Sequence, residues 1–199
     1  DYAVSHSQRR LWMLEQLGVQ PLAYSLPAAF LLEGPLDTRA FERALAALVE
    51  RHEALRTTFL EVNGEPRQRI QSAATFRMEL IDLSQQSDPE SQARQRALEH
   101  AEQPFDLING PLLRVCLVTL APLRHLLLVN LHHIISDAWS VSLMVKETVA
   151  LYRAFTRGNS NPLAPLGIHY KDFAAWQNAL LTGESARAHR EYWHAQLAP

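Results

Sequence analysis

The groups best placed to handle protons stand together in Leu131-His132-His133-Ile134-Ile135-Ser136-Asp137-Ala138-Trp139-Ser140, directly after a very apolar run. An imidazole with an ordinary pKa of ~6.5 can take up a proton in the physiological range, which makes general-base work the natural chemistry for this stretch. Adjacent residues of an extended segment point to opposite faces, so His132 and His133 cannot serve one reacting atom together. One of the pair is expected to face the interior and the other a cleft. That antiphase arrangement, with no second His/Cys cluster, also argues against a metal site. The single Cys116 lies inside the apolar run Leu112 to Leu120 and reads as a small core residue.

Leu126-Leu127-Leu128-Val129 reads as a buried strand and Val141-Ser142-Leu143-Met144-Val145 opens a helical pattern, so the histidines fall at a strand-to-helix junction. Such junctions present side chains from a rigid frame. Upstream, Ser5 can cap a helix carrying Leu11, Leu14 and Leu17, with Pro21 beyond its end, and Tyr24 to Glu33 is strand-like with Leu26, Ala28, Phe30 and Leu32 on one face. Pro27 predicts an edge position or a bulge. Asp37 caps a second helix through Phe41, Leu45, Leu48 and Val49. Strands at Thr57 to Val62 and Arg67 to Ile70 flank Asn63-Gly64, with Pro66 lengthening the loop, and Phe76 to Leu83 continues as a strand. Ser87-Asp88-Pro89-Glu90 starts a helix stopped by Pro104, and Leu112 to Leu120 with His125 to Leu131 form a hairpin at the centre of a sheet. After the helix from about Trp139 to Phe155, residues 159–167 form a linker, and two helical patterns follow, Tyr170 to Leu181 and Glu184 to Leu197. The order predicts an α/β lobe, a two-layer sandwich of a mixed sheet flanked by helices, over residues 1–160, with a linker and helical extension over 161–199.

With 199 residues, 47% hydrophobic and 20% charged, the chain is ordinary for a globular protein. A formal charge of -2 offers no electrostatic case for nucleic acid or an anionic membrane. No stretch reaches the ~20 apolar residues of a membrane span, and a lone cysteine fits a reducing, cytoplasmic setting. The absence of an initiator methionine suggests a segment of something longer.

Four patterns in register resemble the condensation domains of nonribosomal peptide synthetases. Ser5-His6-Ser7-Gln8-Arg9-Arg10-Leu11-Trp12-Met13-Leu14 is similar to that family's opening motif, and Arg51-His52-Glu53-Ala54-Leu55-Arg56-Thr57-Thr58-Phe59 to its second. The histidine stretch is similar to the third and Tyr170-Lys171-Asp172-Phe173-Ala174-Ala175-Trp176 to the fourth; Pro104-Phe105-Asp106-Leu107 and Gly110-Pro111-Leu112-Leu113-Arg114 also match.

The resemblance implies a chloramphenicol-acetyltransferase-like fold of two lobes, of which this chain resembles the first, with a tunnel between them. It implies amide formation between an upstream acyl or peptidyl thioester and the amine of a downstream aminoacyl thioester, each on the 4'-phosphopantetheine of a peptidyl carrier domain. An adenylation domain and the second lobe are the further partners expected, with no cofactor or metal bound directly. By the same resemblance His133 carries the chemistry. His132 and Asp137 are structural, with Asp137 paired to an arginine for which Arg56 is the choice; Ser136, Ala138 and Trp139 complete the motif loop. A helix-capping role for Asp137 is compatible with that pairing.

Ala138 stands where the family usually has glycine, which costs about 1 kcal/mol if the backbone there needs a positive φ and nothing if only a small side chain is required. The order Trp139-Ser140 argues against an epimerisation relative, and the opening motif is most similar to members joining two L-residues, a starter role staying open. Two other classes share features: a CoA-dependent acyltransferase, through His133 to Asp137, and a non-catalytic carrier-docking module.

Overall fold

The computed structural model describes residues 1–18, 22–73 and 76–198; the expectation for Pro21 lies outside them. Strands β1 (Tyr2–Ala3), β3 (Thr57–Val62) and β4 (Glu65–Ile70) form a small sheet in the order β1-β4-β3. The larger sheet runs β2-β7-β6-β5 and comprises β2 (Ser25–Glu33), β5 (Glu79–Asp82), β6 (Leu113–Ala121) and β7 (Arg124–His132). It is mixed, since β5 runs parallel to β6 while the other pairs are antiparallel. The β6-β7 hairpin is central, as expected, and β2 is an edge strand that tolerates Pro27.

Helices cover both faces of this sheet because the strands of the hairpin are apolar on both sides. Leu113, Val115, Leu117 and Leu131 pack with Phe41, Leu45 and Leu48 of α2 (Thr38–Arg51) and with Leu151 of α4 (Ala138–Thr156). Cys116, Val118, Leu120 and Leu128 point the other way, onto Ala93 of α3 (Pro89–Glu102). Fully burying each of the larger aliphatic side chains contributes roughly 1.5–3 kcal/mol, so the hairpin is the rigid centre of the lobe.

Several local expectations are corrected. Pro66 does not lengthen the loop: Val62 pairs directly with Glu65, and Asn63 (φ 53°) and Gly64 (φ 78°) make the two-residue turn alone. Both left-handed positions suit the right-handed strand twist, and Pro66 takes a place in the strand opposite Glu61. In α3 the start expected at Ser87-Asp88-Pro89-Glu90 is capped by Asp88, whose side chain accepts the Ser91 N–H. Phe30 stays largely exposed at the sheet edge, and the strand expected over Phe76 to Leu83 is confined to β5.

Helix α5 (Tyr170–Thr182) docks on the body: Ala174 is fully buried, Asn178 donates to the Val4 carbonyl at 2.9 Å, and the Ser5 and Tyr170 hydroxyls lie 3.0 Å apart. Helix α6 (Arg187–Leu197), by contrast, has no buried residue. No helix among the described residues is long and apolar enough to cross a membrane.

Candidate functional site

Strand β7 ends at His132, and the strand alternation carries one step further to separate the two imidazoles. Asn130, fully buried, donates to the carbonyls of His100 and Ala101 on α3. His132, of the same parity, is 1% exposed, its ring edge-on to Phe105 at 5.8 Å and tilted against Tyr24 at 6.4 Å. Its Nδ1 accepts the Ile134 N–H at 3.0 Å, which requires an unprotonated nitrogen there. Burial, reinforced by the neighbouring His133, pushes this imidazole down to about 4. His132 is therefore a buried, neutral residue at neutral pH.

His133 has the opposite setting. Its backbone N–H is tied to the Tyr24 carbonyl at 2.7 Å, while its side chain is exposed and lines a cleft of about 420 Å³. Ile135, Ser136, Asp137 and Ser140 continue the same wall. The cleft is also lined by Ser7 and Arg10 of α1 (His6–Gln16), His52 and Glu53 from the end of α2, and Ile168 to Tyr170 at the start of α5. An imidazole that is solvated, anchored through its backbone and set among polar groups can accept a proton from a group delivered into the cleft.

Asp137 is the N-cap of α4: its Oδ1 accepts from the Ser140 N–H at 2.8 Å and from the Ser140 hydroxyl at 2.6 Å. Those two bonds hold its carboxyl below the ordinary aspartate range, so it is ionised at neutral pH. The pairing with Arg56 is not made. Arg56 closes a 3-10 turn (Glu53–Arg56) and its Nη1 donates to the Gln71 carbonyl at 2.6 Å, outside the cleft lining. The physical reason is packing: Arg56 is turned toward the segment that follows β4, where its Nη1 meets the Gln71 carbonyl, while Asp137 stands at the exposed start of α4. Ser136 is buried in the turn, while Trp139 is 82% exposed beside it. Ala138 is the first residue of α4, and the only non-glycine with positive φ among the described residues is Asn63, so alanine fits without strain.

The second motif contributes other residues than the one anticipated. Arg51 donates through Nε to both Glu147 oxygens at 3.1 and 3.2 Å and through Nη1 to the Ala164 carbonyl, while His52 Nε2 lies 2.6 Å from Glu147. Glu53 meets Lys171 at 2.7 Å. Three successive residues thus fasten α4, the segment before α5, and α5 itself around the cleft. The signal was the polar triplet Arg51-His52-Glu53 at a helix end. Gln8 was missed as well, although Ser5 and Gln8 have the three-residue spacing of a capping box, which the structure forms. Among the described residues no group of three His, Cys, Asp or Glu side chains is placed to hold a metal ion.

Comparison with known proteins assigns the class: residues 1–199 match the Condensation domain family, and the chain belongs to it. Malpinin synthetase of Mortierella alpina is 40% identical over 198 residues, covering 100% of this chain and 3% of that protein. Surfactin synthase subunit 2 of Bacillus subtilis (strain 168) is 41% identical over 197 residues, covering 99% and 5%. The starter condensation domain of rhizomide synthetase RzmA superposes with a TM-score of 0.87 at 25% identity, covering all of this chain and 50% of that one. The first condensation domain of the calcium-dependent antibiotic synthetase, solved with substrate analogue 2a, gives 0.81 at 27%, over 100% and 48%. The mixed sheet flanked by helices is thus the chloramphenicol-acetyltransferase-like architecture of that family, and the chain spans about half the length of the solved domains and a few per cent of the synthetases.

Proposed function

We propose that this lobe supplies the histidine wall of a site that forms an amide bond between an upstream acyl or peptidyl thioester and the amine of a downstream aminoacyl thioester. The observation that carries this reading is the division of labour at the end of β7, a neutral buried His132 and an exposed His133 on the cleft. The amine attacks the thioester carbonyl, His133 takes the proton the nitrogen sheds, and the thiolate departs and is reprotonated. Proton transfer of this kind contributes about 10²–10⁴-fold, and holding two tethered reactants in line supplies several kcal/mol more.

Both thioesters are carried on the 4'-phosphopantetheine of peptidyl carrier domains, an adenylation domain loads the acceptor, and a second lobe closes the cleft into a tunnel. Support comes from the synthetase relatives, in which this segment is a small part of a long chain, and from an RzmA starter-domain mutant solved with C8-CoA and Leu-SNAC. The exposed Trp176 and Trp193 are the surface we assign to the second lobe. We place the reaction in the cytoplasm and between two L-residues. In the complete two-lobed domain, His133→Ala lowers amide formation at least about 100-fold with the fold intact, read by mass spectrometry of product from two loaded carriers. Near-parental rates would refute the assignment.

A further inference from the structure

The opening motif has no part in the chemistry above, yet its glutamine reaches the histidine turn. Gln8 is 3% exposed. Its Oε1 accepts the Ser5 N–H at 3.0 Å, and its Nε2 donates to Gln68 Oε1 at 3.2 Å and to the Ile134 carbonyl at 3.4 Å. The orientation of this amide follows from its partners: a backbone N–H can only donate, so Oε1 faces Ser5, and a carbonyl can only accept, so Nε2 faces Ile134. Gln68 is fixed in turn by donating from its own Nε2 to the Ala3 carbonyl at 2.7 Å, which leaves its Oε1 to accept.

Ile134 directly follows His133. Within the turn itself the Ile135 N–H reaches the His132 carbonyl at 3.1 Å and the Ser136 N–H reaches the His133 carbonyl only at 3.4 Å. The His133 N–H bond to the Tyr24 carbonyl at 2.7 Å and the Ile134 N–H bond to His132 Nδ1 at 3.0 Å hold the same turn, and the Gln8 amide adds a tie to it from α1. Ser5, whose hydroxyl accepts the Gln8 N–H at 3.2 Å, also touches the Tyr170 hydroxyl at 3.0 Å, so the fourth motif joins the same network.

We propose that Gln8 is a positioning residue for His133, and that Tyr170 acts on the same turn through Ser5. The proposal rests on His133 being the proton acceptor. Gln8→Glu keeps the size and the acceptor toward Ser5 but turns an acceptor oxygen toward two oxygens that need a donor, which displaces the turn rather than the substrates. A misplacement of about 1 Å can cost on the order of 10²-fold in rate.

The test is steady-state turnover of two loaded carriers by the complete condensation domain, with rates normalised to folded protein and Tm recorded alongside. Gln8→Glu is expected to lower kcat about 10- to 100-fold with KM for either carrier within about twofold, and Tyr170→Phe to lower kcat a few-fold. Parental kcat per folded molecule, or a rise in KM at constant kcat, overturns the proposal. If Gln8→Glu does not fold, the same split read on Tyr170→Phe decides, since that change removes one hydroxyl. His133→Ala run in parallel separates the two readings: activity surviving there defeats the amide-forming assignment, whereas its loss beside unchanged Gln8 and Tyr170 variants defeats only the positioning role.

Discussion

Acidification should destabilise this lobe through His132, by an amount that follows from its surroundings. The ring is buried against Phe105 and Tyr24, and its Nδ1 is committed as an acceptor, so the folded state holds it neutral down to about 4, against ~6.5 in the unfolded chain. A folded pKa depressed in this way means that the unfolded state binds the proton first. The stabilisation is fully present above pH ~6.5 and is lost as the pH falls toward about 4. At ~1.4 kcal/mol per pH unit the gap is worth about 3 kcal/mol, a large share of the 5–15 kcal/mol typical of a domain. The assay is urea denaturation at pH steps between 7.5 and 4, comparing the parent with His132→Asn, which keeps an acceptor for the Ile134 N–H but does not titrate. The variant starts less stable, from lost ring packing, and its stability falls less steeply over this window by up to about 1.4 kcal/mol per pH unit. Parallel curves for the two proteins would refute the account of His132 as a buried neutral group.

Asp137→Ala is expected to cost about 1 kcal/mol, the value of a helix N-cap, rather than the 3–5 kcal/mol of a broken buried ion pair. A double-mutant cycle with Arg56→Ala should show coupling below about 0.5 kcal/mol, and a larger value would reinstate the pair. Ala138→Gly, which restores the residue usual in the family, is expected to lower stability by up to about 1 kcal/mol in chemical denaturation, because position 138 is already helical. Glu53→Lys or Lys171→Glu alone lowers Tm by a few degrees and the double reversal recovers most of it; no recovery would show that the 2.7 Å pair does not fasten α5.

Much of this architecture was legible in the chain because it rests on local rules. The 3.6-residue period of Phe41, Leu45 and Leu48, the capping residues Ser5, Asp37 and Asp137, and the Asn63-Gly64 turn each act through neighbours within four residues, so they are readable without a fold. The same holds for the division between His132 and His133, which follows from the two-residue period of a strand. What tertiary structure alone decided is which distant groups meet. Arg56 and Asp137 are both charged and both in motifs, yet one donates through Nη1 to the Gln71 carbonyl and the other accepts from Ser140. Glu53 instead crosses 118 positions to Lys171, and Gln8 crosses 126 to the Ile134 carbonyl. Sequence patterns encode the period and the ends of elements, whereas the partners of a polar side chain depend on how those elements pack, and packing brought the opening motif against the histidine turn.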